Sequence, residues 1–291
     1  MRKISLFIYV ILFSFSINAQ LLWKISGNGL KNHSYLFGTN NLIPIQFFDS
    51  VPGLYRAFNS SEVVIGEMIA NNVDATAKIQ QAAIMPNHIK LKDLLSQEEQ
   101  SLVDSTLKST LKIGIKELNM MNPTLILSIY KMEIFKKITG FSDDLQSDSY
   151  FQLVATEKDK KVIGLETVEQ QINVLFGNAS LQQQADILVE SIKKSEQTFS
   201  KMLQSNKLYR AGKIDELAAE FQNKNSKNGD ESLIDYDKKM DNRNSDWVTK
   251  LPSYFHDFSC FVAVDALHLG GQNGLVKLLQ KKGYKVTPIL N

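Results

Sequence analysis

Cysteine is nearly missing from this chain: Cys260 stands alone among 291 residues. A single thiol excludes an internal disulfide and any C-x-x-C motif. No cysteine follows the N-terminal apolar run, so a lipid-anchored cysteine is excluded too. Cys260 lies beside an apolar strand and reads as a small core residue. Other absences narrow the chemistry. There is no H-E-x-x-H helix, no G-x-S-x-G elbow and no G-x-x-x-x-G-K-[ST] phosphate loop. Gly27-Asn28-Gly29 lacks the third glycine and the helix of a dinucleotide-binding turn. The chain also lacks a repeat of fixed period, a linker that would mark a domain boundary, and a second long hydrophobic segment after the first.

That first segment is the N-terminus. Arg2 and Lys3 precede an uncharged apolar run, Ile4 to Ile17, followed by Asn18, Ala19 and Gln20. This is the layout of a secretory signal peptide, with cleavage expected near Ala19. The run is short for a membrane span, which needs about 20 apolar residues; an uncleaved anchor is the competing reading. Residues 1–19 are therefore set apart as signal and 20–291 are taken as a single domain, exported to the periplasm or beyond, with no stable membrane anchor after cleavage. Removing Arg2 and Lys3 lowers Lys plus Arg from 33 to 31, equal to the 31 acidic residues. A formally neutral mature chain offers no case for a nucleic-acid partner. Apolar residues make up 43% of the chain, enough for a full core.

Phe258 to Asn291 reads as strand, turn, helix, strand. Phe261-Val262-Ala263-Val264 suits a strand buried on both faces. It stops at Asp265-Ala266-Leu267-His268. Gly270, Gly271 and Gly274 then let the backbone turn into a helix over Gly274–Lys282, which Gly283 ends before a strand over Tyr284–Leu290. In parallel crossovers, ligands bind beyond the carboxyl ends of strands, so His268 stands where chemistry usually happens. A histidine that only hydrogen-bonds in a tight turn is the plainer reading. His33, His88 and His256 read as surface or packing residues.

Upstream, Leu21–Ile25 and His33–Phe37 flank a Gly/Asn turn and form a hairpin. The second strand ends in Gly38-Thr39-Asn40-Asn41. Ser50-Val51-Pro52 opens a helix. Glu62–Met68 (EVVIGEM) is a strand whose end carries Glu67, and Lys161–Leu165 is a strand ending at Glu166. Between them, helices are expected over Asn71–Ile84, Ser96–Leu111 with Ser96 and Glu99 as a capping pair, Asn122 to Gly140, and Asp148–Lys158. Later helices are expected over Ser180–Gln204, Lys207–Gln222 and Leu233–Phe255, with a mobile polar loop over Asn223–Ser232. The expected fold is α/β in the mixed α+β sense: a central mixed sheet flanked by helices, with a helix-rich middle insertion near Asn71–Asn225.

Four strand ends thus carry polar groups: Asn41, Glu67, Glu166, and Asp265 with His268. A histidine with carboxylates and an amide suits a divalent metal; it equally suits a polar turn layer without one.

The pattern resembles the TraB/GumN family, which includes the Tiki proteins. The matching pieces are LLWKISGNGLKNHSYLFGTNNLIP (21–44), EVVIGEM (62–68), KKVIGLETVEQQ (160–171), DNRNSDWVTKL (241–251) and FVAVDALHLGGQNGLVKLLQKKGYKVTP (261–288). The resemblance implies a metal-dependent, peptidase-like hydrolase using manganese, cobalt or another divalent ion on a peptide or small-molecule substrate. His268, Glu67, Glu166 and Arg243 stand at matching positions. Two positions depart: Asn41 replaces a histidine and Asp265 a glycine. An amide oxygen favours harder ions, with Asp265 adding charge; alternatively the site has degenerated. On this reading His268, Glu67, Asn41 and Asp265 hold the metal. Glu166 serves as base or supports the ligands. Arg243 stabilises an oxyanion, orients a carboxylate, or simply forms a structural ion pair. Trp247 reads as core. The alternative function is a non-catalytic binding or regulatory protein that keeps the fold; an esterase is a third.

Overall fold

A computed structural model describes residues 20–290, except 71, 143–146, 178 and 224–230, with the backbone alone for 222–223 and 231–239. The strands are β1 (Leu22–Ser26), β2 (Ser34–Thr39), β3 (Val63–Gly66), β4 (Lys161–Gly164), β5 (Cys260–Asp265) and β6 (Lys285–Pro288). The helices are α1 (Leu54–Ser60), α2 (Val73–Ala82), α3 (Gln97–Leu111), α4 (Ile115–Leu118), α5 (Pro123–Thr139), α6 (Ser147–Glu157), α7 (Val168–Phe176), α8 (Leu181–Lys193), α9 (Ser195–Arg210), α10 (Ile214–Asn223), α11 (Glu231–Asp257) and α12 (Leu275–Lys281).

The strands form one mixed sheet in the order β4-β3-β5-β2-β1-β6. The four strands from β4 to β2 are parallel, and β1 is antiparallel to β2 and β6. The register puts Thr39 opposite Asp265 and Gly66 opposite Gly164. The carboxyl ends of β2, β3, β4 and β5 therefore share one edge. Val63–Ile65 and Cys260–Val264 are buried without alternation, as expected for strands covered on both faces. Among the described residues no helix is long and apolar enough to cross a membrane.

Two apolar cores divide the chain. The larger surrounds the sheet and includes Phe37, Phe151, Phe261 and Trp247. The Phe151 ring centroid lies 5.4 Å from Phe37 and 5.0 Å from Phe261, so α6 is pinned across β2 and β5. The second core, with Leu107, Ile126 and Leu188, belongs to the helix-rich middle: α3, α5 and α8 pack there. The α/β architecture with a helical insertion matches the expectation.

Some boundaries differ. Ser50 does not open a helix: it ends a 3-10 turn (Ile45–Ser50), and α1 starts after Gly53, whose φ of 70° only glycine adopts without strain. The helix expected over Ser180–Gln204 is two, because Lys194 (φ −104°, ψ 33°) leaves helical geometry. The following helix breaks at Gly212 (φ 65°), before α10. Glu231 and Ser232, expected in a loop, already lie in α11, while 224–230 fall outside the described residues, as does the expected signal peptide. The helix α7 was not anticipated, although Thr167 and Gln170 form its capping box.

Candidate functional site

The site is assembled at the shared carboxyl edge. Glu67 follows β3, Glu166 follows β4, and Asp265 and His268 close β5, so parallel pairing alone gathers them. The fourth element is α11, which crosses this edge. Arg243 and Trp247 are four residues apart and share one helix face. Trp247 is fully buried, with Arg243 stacked on its ring at 4.8 Å.

Arg243 is the hub. Its Nη2 donates to Glu67 Oε2 at 2.6 Å and its Nε to Glu166 Oε1 at 2.6 Å. Nη2 also reaches Glu166 Oε2 at 3.1 Å, and Nη1 reaches His268 Nε2 at 3.1 Å and Met240 Sδ at 3.7 Å. Every N–H of the guanidinium therefore has an acceptor. Gln171, from α7, donates to Glu67 Oε2 at 3.2 Å and Glu166 Oε2 at 2.8 Å, bridging the two carboxylates. The Trp247 indole donates to Glu166 Oε1 at 2.9 Å.

His268 is buried and packs 4.2 Å from the Trp247 ring. Asn244 fixes its tautomer. The Asn244 amide nitrogen donates to the Asn273 carbonyl at 2.8 Å, leaving its oxygen 2.6 Å from His268 Nδ1. Nδ1 therefore carries the proton, and Nε2 offers the lone pair that Arg243 fills. Burial and the Arg243 charge push the imidazole down to about 3 against the opposing pull of Glu67, so it is neutral at pH 7. Burial works against an ionised Glu67. The charges of His268 (where protonated) and Arg243, with the Asp265 N–H at 3.0 Å, outweigh it and hold the carboxyl at about 2.

A second polar group adjoins the hub. Asp148 opens α6, one turn before Phe151, so the packing of that ring sets its carboxylate at the sheet edge. Thr39 Oγ1 and Asn41 Nδ2 both donate to it, the latter at 3.1 Å. Asn41 Oδ1 accepts from Ser147 Oγ at 3.1 Å. Burial, then the Glu67 charge, raises Asp148 to about 6. Asp265 Oδ1 accepts the Leu267 N–H at 2.9 Å and caps the short turn to His268. Burial and the Asp148 charge raise it to about 7. Its φ of −53° is ordinary, so an aspartate here strains nothing, although the resemblance places glycine at this position.

The structure thus brings Glu67, Glu166, Arg243 and His268 together, with Glu67 Oε1 3.7 Å from His268 Nε2. Asn41 turns to Asp148 instead, and Asp265 meets Glu67 through its backbone N–H. Sequence reasoning missed Asp148, Gln171 and Asn244. For Gln171 the capping box was a usable signal; for Asn244 it was only the place next to Arg243.

A divalent ion on His268, Glu67, Asn41 and Asp265 needs free lone pairs. The acceptor nitrogen of His268 is taken by Arg243, and both oxygens of Glu67 already accept N–H groups. Among the described residues no three His, Cys, Asp or Glu side chains are placed to hold a metal ion. As arranged, these residues do not fit the ion.

Neither a curated protein nor a solved structure matches the chain. The model of the TraB/PrgY/gumN family matches residues 21–288, from the first strand to the last, and the chain belongs to that family.

Proposed function

We propose that the protein is an exported, peptidase-like hydrolase working at the carboxyl edge of its sheet. The observation that carries this reading is the meeting of three carboxylates from distant parts of the chain, Glu67, Asp148 and Asp265, at one partly exposed spot beside Arg243. Their environments push them apart: Glu67 stays ionised while Asp148 and Asp265 exchange protons near neutral pH. Such a split separates acid from base roles. An ionised Asp148 takes a proton from an attacking water, and a protonated Asp265 gives one to the leaving amine. Glu67 and Arg243 hold the second carboxylate in place through the Asp265 backbone. Export rests on the pattern of residues 1–19.

A specific observation favours a second reading, a binding or regulatory protein that keeps the fold. Arg243 has no N–H left for a ligand. Purified mature protein distinguishes the two. It is incubated with a mixed peptide library in metal-free buffer and again with manganese or cobalt, and bound metal is measured. Cleavage lost in Asp148→Asn and Asp265→Asn, with folding retained, supports the hydrolase. No cleavage under either condition selects the binding protein. Cleavage only with added metal returns the ion to the site, with His268 released from Arg243.

A further inference from the structure

Next to the acid cluster lies a cleft of about 460 Å³ lined by Leu42, Pro44, Phe135, Thr139, Asn206 and Arg210, among others. It begins one residue past Asn41, whose amide holds Asp148. Its far wall is the last turn of α9. Arg210 is exposed there yet fixed in place: its Nε donates to Asn206 Oδ1 at 2.9 Å, and its guanidinium lies over the Phe47 ring, 5.2 Å from the centroid. Asn206 is itself anchored, donating to the Leu42 carbonyl at 2.9 Å. The two terminal nitrogens of Arg210 meet no carboxylate among the described residues. Lys207 stands one turn before it, so this end of α9 is positively charged. A stacked, tethered guanidinium whose fork holds no carboxylate among the described residues is set to take one through paired N–H bonds, and loses little freedom in doing so.

We propose that this cleft binds a peptide segment bearing a carboxylate, with Arg210 as the residue that reads the charge. The proposal rests on the hydrolase reading for its substrate class, peptide, and adds acidic selectivity on the side of the cluster near Asn41. The carboxylate comes from an acidic side chain or from a chain terminus; both present the same two oxygens.

The test reads binding, which needs no turnover. Labelled glycine–serine peptides carry a central Glu or Gln, each with a free or an amidated C-terminus, and their affinities for the mature protein are measured by fluorescence anisotropy. The Glu or free-terminus peptides are expected to bind the wild type more tightly than the Gln-amide peptide. Arg210→Met is expected to weaken the carboxylate peptides by roughly tenfold or more, the size of a lost charged hydrogen bond, and to leave the Gln-amide peptide unchanged. Arg210→Lys, which keeps the charge but not the fork, falls between. Dependence on Glu names the side chain as the source; dependence on the free end names the terminus. Equal binding of all peptides, no binding at all, or an unchanged Arg210→Met would overturn the proposal. Charge-dependent binding without any peptide cleavage leaves it standing and removes only the hydrolase reading.

Discussion

Arg243 sits between Glu67 and Glu166 at 2.6 Å from each, so one guanidinium ties the end of β3 to the end of β4. The side chains retain 11%, 17% and 3% of their exposure, which leaves water little part in screening them.

Replacing Arg243 by methionine strands two carboxylates in that setting. The expected loss is about 3–5 kcal/mol of unfolding free energy, as when one partner of a buried pair is removed. Urea midpoints at pH 7 measure it. A loss under about 1 kcal/mol would show the pair to be solvated and of surface strength.

His268 changes character once its neighbours are known. At the end of a strand it reads as a residue that could be removed without harm to the fold. It is instead enclosed, with Arg243, Asn244 and Trp247 all built around it. His268→Ala is expected to cost roughly 2–4 kcal/mol through the cavity and the unpaired partners. Thermal melts alongside any activity assay separate this from a loss of chemistry.

Asp265 supplies a pH test. Its folded pKa of about 7 lies above the ordinary 3.8, so the folded state holds the proton more tightly. The group favours folding fully below about pH 4, and that contribution disappears as pH rises through 7. Glu67 and His268 run the other way, losing stability as pH falls toward about 2 and about 3 respectively. Asp265→Asn keeps an oxygen for the Leu267 N–H and removes only the titration. The variant should be more stable than wild type at pH 8, with the two curves converging near pH 4. Parallel urea titrations across that range decide it.

Trp247 contributes one polar contact along with its bulk. Trp247→Phe keeps most of the packing and removes the indole donor to Glu166. A loss of roughly 1–3 kcal/mol is expected from the carboxylate left short of a partner. Solvent denaturation at pH 7 measures it.

The strand ends were legible because an apolar run followed by one acid or histidine is a local pattern. Glu67, Glu166, Asp265 and His268 all followed from it, and parallel pairing did the rest. Asp148 was not legible. It opens a helix whose height on the sheet is set by Phe151 meeting Phe37 and Phe261, and nothing local to Ser147-Asp148 encodes that contact. Asn41 was placed on the right edge but with the wrong company, since its partners arrive from α6. The break at Lys194 was hidden for the opposite reason: the apolar spacing continues across it, and only the dihedral angles change.

The strand from Cys260 to Asp265 is wedged between β2 and β3, two strands from the first quarter of the chain that pair with it and not with each other. A ribosome must therefore release nearly the whole polypeptide before the two halves of the sheet can close. Until then β2 and β3 each expose an unpaired border, and such long-range closure is slow. A nascent chain of this topology keeps its sheet open until residues 260–265 have emerged, while the helical core of α3, α5 and α8 already has all its parts.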